Sequence, residues 1–192
     1  MGDSLADHRD QVRQRLFTAM QQLIVQRGYD AVTLADVAAD AGVGRTAVYN
    51  HFPDKESVLL AWAMDATDRY LVSLRAELAA TDDPVEQLKI FVRMQMTEFS
   101  THHTRLAGIG TALSAEGRLS IRDHVAPMMQ ILSDILKRAI DSGSIPEQNL
   151  ATAVPMISAA TAVRFPPAAG VDTLEDAIVA VTGFVLHGIG AA

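Results

Sequence analysis

Cysteine is absent from this 192-residue chain, which excludes disulfides, thiolate metal sites and cysteine nucleophiles. Aromatic residues make up only 5% of it, and few segments show the β-branched and aromatic enrichment of strands. No uncharged apolar run reaches transmembrane length; the nearest, from Ala177 to Ala192, is too short and rich in glycine. The opening residues, MGDSLADHRDQV, hold no apolar signal core. A cytoplasmic protein without membrane attachment is expected.

Excess positive charge is lacking as well. The formal net charge is −7. Residues 1–60 carry six Lys/Arg against eight Asp/Glu, a balance of −2, and the remainder ten against fifteen, a balance of −5. A protein that coats nucleic acid regardless of sequence needs a basic surface, because its affinity comes from neutralising phosphates. That class is excluded, and any DNA binding must rest on a few placed contacts. Catalytic motifs are missing too: there is no Ser-His-Asp spacing, no phosphate-cradling glycine loop and no helical HExxH. The chain is read as no enzyme. An all-α enzyme would require Glu98, His102 and Arg105 to converge in a closed pocket, and their spacing equally fits an exposed charged stripe. His102 and His103 are adjacent, so on a helix they point about 100° apart. With His124 elsewhere, neither a metal nor a cofactor is expected.

What the chain has is helix. Apolar residues reach 49%, with alanine abundant and Leu, Met, Gln and Arg among the good helix formers. Val12, Leu16, Ala19, Met20, Leu23 and Ile24 recur at helical spacing between about Arg9 and Arg27, and Gly28 stops that helix. Thr33 and Asp36 form a capping-box pair ahead of a second helix with Leu34, Val37, Ala38 and Ala41 inward. It ends at Gly42, and a third runs from Arg45 to about His51: two short helices across a tight turn, the helix-turn-helix geometry. A long helix follows from Lys55 to about Ala79. Further helices are expected over Val85 to Thr101, Thr104 to Ser114, Leu119 to Ile140, Glu147 to Val163 and Leu174 to His187. Pro166-Pro167-Ala168-Ala169-Gly170 breaks the last pair.

The run GYDAVTLADVAADAGVGRTAVYNHFPDKESVL, from Gly28 to Leu59, resembles the DNA-binding domain of the TetR family of regulators. The resemblance is carried by Gly28-Tyr29, Thr33, Val37-Ala38, Ala41-Gly42-Val43, Val48-Tyr49, His51-Phe52, Lys55 and Leu59. Gly44 departs from it, standing where the family often has Ser or Thr. The implied fold is all-α, with a three-helix DNA-binding domain in residues 1–55 and a larger ligand-binding and dimerisation domain in 56–192. The implied partners are double-stranded operator DNA, a second copy of the chain and a small-molecule effector, with repression the family's common mode. A regulator that answers to no small ligand is the alternative.

Site residues follow from the chemistry of a recognition helix. Arg45 can pair with guanine, and the methyls of Thr46 and Ala47 can meet a thymine methyl. Tyr49, Asn50 and His51 suit phosphate contacts, which fix register rather than read sequence. Lys55 opens the next helix, where an ammonium and backbone N–H groups can grip one phosphate. By resemblance, Thr33, Tyr49, His51 and Lys55 match positions that contact the DNA backbone. For the effector, Phe91, Gln95 and Phe99 share one helix face. Met128 lies on a face of another helix, Trp62 on the long helix, and Met156 and Phe165 on the next-to-last helix and at its end. His102 is a candidate polar anchor. This set suggests a mostly apolar small molecule. The last two helices are rich in alanine and glycine, and such residues let helices approach closely. They are the expected dimer interface.

Overall fold

The computed structural model describes residues 3–101, 113–162 and 173–191. These residues form eight helices and no strand. They are α1 (Asp3–Arg27), α2 (Leu34–Asp40), α3 (Arg45–His51), α4 (Lys55–Leu78), α5 (Pro84–Thr101), α6 (Ala115–Asp141), α7 (Leu150–Thr161) and α8 (Leu174–Gly188). The all-α expectation holds. The helix expected over Thr104 to Ser114 falls outside the described residues except at its end, as does the Pro166–Gly170 break. α1 begins at Asp3 rather than Arg9, because an apolar stripe marks the packed part of a helix and not its polar overhang. α7 begins at Leu150 rather than Glu147, where the Asn149 side chain accepts a hydrogen bond from the Ala151 N–H at 3.1 Å.

The described residues divide into two compact units. Residues 3–67 and 113–124 make the first, and residues 68–101, 125–162 and 173–191 the second. The two units part at Thr67–Asp68, inside α4. The cause is packing: Val58, Leu59 and Trp62, on the first two turns of α4, are buried in the first core.

In the first unit α1 packs on α2 and α2 on α3. Leu16, Val37, Val48 and Val58 are completely buried there, each worth roughly 1.5–3 kcal/mol on transfer from water. Leu113 completes this core, and Ile121 packs against it. In the second unit α5 packs against α7 and α8. Its core gathers Leu74, Phe91, Leu132, Ile135 and Leu136, with Ile157 from α7 and Ile178 and Val181 from α8.

Candidate nucleic-acid interface

The turn between α2 and α3 is held from several sides. At its start, Thr33 and Asp36 close the expected capping box. The Thr33 hydroxyl accepts from the Asp36 N–H at 3.1 Å and donates to Asp36 Oδ2 at 2.6 Å, while the Thr33 N–H donates to the same oxygen at 2.9 Å. These bonds hold the Asp36 carboxyl below the usual aspartate range, since they favour the ionised form. A depressed folded-state pKa gives stability that is present above the unfolded value, near pH 4, and lost as pH falls through the folded value. Acid titration of wild type against Asp36→Asn is expected to show an extra loss of stability below about pH 4 in wild type only. Parallel acid curves would remove the capping box from the stability of α2.

At its end, α2 is closed by Gly42, whose φ of +62° favours glycine. The Val43 N–H donates back to Ala38 O at 2.8 Å. Arg15 of α1 adds a support that the sequence did not reveal. Its guanidinium donates to the Ala41 carbonyl and, at 2.9 Å, to the Gly42 carbonyl. A side chain at Gly42 would meet that guanidinium at 2.8 Å.

α3 then presents two faces. Val48 is completely buried and Phe52, just past the helix, is 7% exposed, so together they seat the helix on the core. Arg45, Thr46, Ala47 and Asn50 are exposed, and Tyr49 is 46% exposed. Arg45 makes no hydrogen bond or ion pair among the described residues. Gly44 is the N-cap and supplies no side-chain bond. His51 is half-buried, with its ring 6.4 Å from that of Phe52. Phe52 in turn lies 6.3 Å from Phe17, over which Arg13 sits at 5.6 Å.

The residues expected to contact DNA thus fall into two groups. Arg45, Thr46, Ala47, Tyr49 and Asn50 come together on the exposed face of one helix, with His51 at its end. Thr33 and Lys55 have their donors engaged inside the protein. The Lys55 ammonium donates to Tyr29 O at 2.9 Å and to Asp30 O at 3.4 Å, and lies 4.3 Å from the centre of the Tyr29 ring. Beside it, Glu56 does something that no sequence signal marked. Its Oε1 accepts from the Ser114 N–H at 2.9 Å and from the Ser114 hydroxyl at 2.6 Å, at the head of α6. A side chain at Gly117 would collide with that carboxylate.

The expected effector residues scatter more widely. Phe91 and Met128 belong to the second core, and Gln95 is buried beside its Tyr70; their exposures are 0%, 8% and 3%. Gln95 accepts a 2.6 Å hydrogen bond from the Tyr70 hydroxyl, a polar pair inside apolar surroundings. Burial pushes the Tyr70 phenol up, with the Glu98 charge adding to it. Phe99 is half-buried near the end of α5. Trp62 is not with them, because it belongs to the core of the first unit. Met156 is not inward either. It is 64% exposed, since Ile157 and Thr161 take the buried face of α7. His102 and Phe165 lie outside the described residues. No group of three His, Asp or Glu suited to a metal occurs among the described residues, and none of their helices is long and apolar enough to cross a membrane.

α7 and α8 leave an apolar face uncovered. Met156, Val179 and Phe184 are 64%, 63% and 69% exposed. No residue of α7 is charged, and none of α8 beyond Asp176 except for His187. A groove of about 290 Å³ runs between the two helices, with Thr152, Met156, Phe184 and Gly188 in its lining.

Comparison with known proteins fits this geometry. Residues 16–62 match the family model described as bacterial regulatory proteins, tetR family. The HTH-type transcriptional regulator AlkX of Mycobacterium tuberculosis is 33% identical over 69 residues, covering 36% of this chain and 33% of that protein. The HTH-type transcriptional activator FasR of Mycolicibacterium smegmatis is 26% identical over 132 residues, 69% of this chain and 58% of that one. These matches thus span one third to three fifths of those relatives' lengths. The crystal structure of the regulator FadR from Bacillus subtilis in complex with stearoyl-CoA superposes with a TM-score of 0.72 at 22% identity, covering 92% of this chain and 96% of that one. That likeness establishes a shared fold.

Proposed function

We propose that this chain is a regulator of the TetR family, and that it binds a palindromic operator as a homodimer and represses transcription until an apolar effector releases it. The observation that carries the reading is the exposed face of α3. Arg45, Thr46, Ala47, Tyr49 and Asn50 stand in solvent on a helix anchored by Val48 and Phe52. That is the arrangement a major groove accepts, with base-reading groups at the helix N-terminus. Two such helices about 34–36 Å apart would meet successive grooves of an inverted repeat. A chain with net charge −7 needs both half-sites, because one offers too few phosphate contacts.

The dimer is supported by the uncharged α7–α8 face. The effector is supported by the apolar second core, which holds the buried Tyr70–Gln95 pair, and by the stearoyl-CoA held by the B. subtilis FadR. A long acyl chain is therefore the proposed effector class. Binding in the second unit would bias α4, a helix with residues in both units. The effector must then favour a conformation that fits the operator poorly.

The test is selection of sheared genomic DNA on the purified protein, followed by sequencing. A shared inverted repeat supports the reading, and random recovery with a folded protein overturns it. Stearoyl-CoA is then titrated into the operator complex; release supports the effector class, and unchanged affinity removes it. Arg45→Ala is expected to cost about 1–3 kcal/mol of operator discrimination and to relax preference at one position per half-site. Equal losses on every sequence would make Arg45 a backbone contact instead.

A further inference from the structure

α2 ends with the wrong charge for a helix C-terminus. Its last residue is Asp40, and its last turn holds no basic residue, whereas the partial negative charge of the final carbonyls favours a cation there. The cation comes from another helix. Arg15 of α1 donates from one guanidinium nitrogen, Nη2, to both Ala41 O and Gly42 O, the latter at 2.9 Å. These carbonyls belong to the turn that leads into α3. The turn's own backbone bonds run back into α2, from the Gly42 N–H to Ala39 O at 3.1 Å and from the Val43 N–H to Ala38 O at 2.8 Å. Ahead of it, Gly44 caps α3 without a side-chain bond, and a side chain there would meet nothing within 4 Å. Among the described residues, the side-chain hydrogen bonds to residues 41–44 all come from Arg15.

The groups that face the groove begin at the next position, with Arg45, Thr46 and Ala47 exposed on the first turn of α3. A binding constellation works only when held to within about 0.5 Å of its productive geometry. With no cap of its own, the start of α3 takes its direction from the turn, and the turn is braced from α1.

We propose that Arg15 is a positioning residue for operator recognition: it supplies from α1 the side-chain support that Gly44 lacks, and so fixes the angle at which Arg45, Thr46 and Ala47 enter the groove. This rests on the operator-binding reading above, but the brace lies wholly within the first unit and is testable without DNA.

The experiment compares the full-length wild type with Arg15→Met and Arg15→Lys. Affinity for the operator recovered from genomic DNA, and for a random duplex of equal length, is measured between about 50 and 200 mM salt. Arg15→Met removes the donor but keeps an unbranched side chain. It is expected to bind operator about tenfold more weakly, the scale of one hydrogen bond to a charged group. Its affinity for the random duplex and its slope of log K against log salt should not change. Arg15→Lys should stay close to wild type, because an ammonium has donors enough for both carbonyls. A slope lowered by about 0.9, or an equal loss on the random duplex, makes Arg15 a phosphate contact and overturns the proposal. Unchanged operator affinity in Arg15→Met overturns it as well.

Amide hydrogen exchange of the free proteins separates the two readings. The Val43 N–H donates to Ala38 O and the Val48 N–H to Gly44 O at 3.0 Å, so both report on the turn and the first turn of α3. Faster exchange at both in Arg15→Met is expected whether or not an operator is found. If wild type binds no operator while exchange rises, the DNA reading fails and the contact stands as a fold support only. If exchange is unchanged, the positioning role is overturned.

Discussion

Phe184→Glu should convert the protein to a monomer and weaken operator binding by roughly a hundredfold, the effect of losing an interface hot spot of about 2–4 kcal/mol. Phe184 is 69% exposed on α8, beside Met156 at 64%, on a face that carries almost no charge. In a two-fold interface the same patch meets itself, so one substitution enters twice and puts two carboxylates into one apolar contact. The operator then sees one recognition helix at a time. Sedimentation at micromolar protein reads the mass, and titration with an inverted-repeat duplex reads the affinity. Leu119→Glu is the control: Leu119 is 49% exposed, but on α6 within the first unit, and its substitution should leave the mass alone. A Phe184→Glu dimer of unchanged mass and affinity would place the interface on another surface.

Phe91→Ala should destabilise the second unit by about 3–5 kcal/mol, the cost of emptying an aromatic site in a packed core. Phe91 is completely buried in the same core as Leu132, Ile135 and Leu136. A chain of this length loses about 2–4 °C of melting temperature per kcal/mol, so the expected fall is roughly 6–20 °C. Phe99→Ala, at a half-buried position on the same helix, should cost clearly less. Thermal melts followed by circular dichroism give both numbers. A loss at Phe91 below about 1 kcal/mol would mean that neighbouring side chains collapse into the space.

Local signals in the sequence were good guides where the controlling chemistry is local. Thr33 and Asp36 sit three residues apart and cap α2 as expected, and Gly42 ends it because few other residues adopt its φ. The Arg45–His51 helix and its exposed face follow from the same short-range logic. Side-chain partners distant along the chain were not legible. Lys55 donates to carbonyls 25 and 26 residues earlier. Arg15 and Glu56 likewise reach backbone groups 26 and 58 residues away, which no periodicity encodes. Met156 was misplaced for a different reason. α7 is apolar or small nearly all round, so no polar face indicates which side is buried. Trp62 was grouped with the effector residues because α4 reads as one helix, although its first turns complete the first core.

The Glu56–Ser114 bond and the burial of Leu113 have a consequence for biosynthesis. The first unit is discontinuous in the chain: residues 3–67 form most of it, but its last pieces come from residues 113–124. A nascent chain released as far as Leu78 has all of α1 to α4 but neither Leu113 to cover its core nor Ser114 to engage Glu56. At about 5–20 residues per second, the missing stretch takes several seconds to emerge. During that interval α3 exists on an incompletely covered core. The first unit is thus finished only after α5 of the second has been made, which couples its completion to the emergence of residues 113–124.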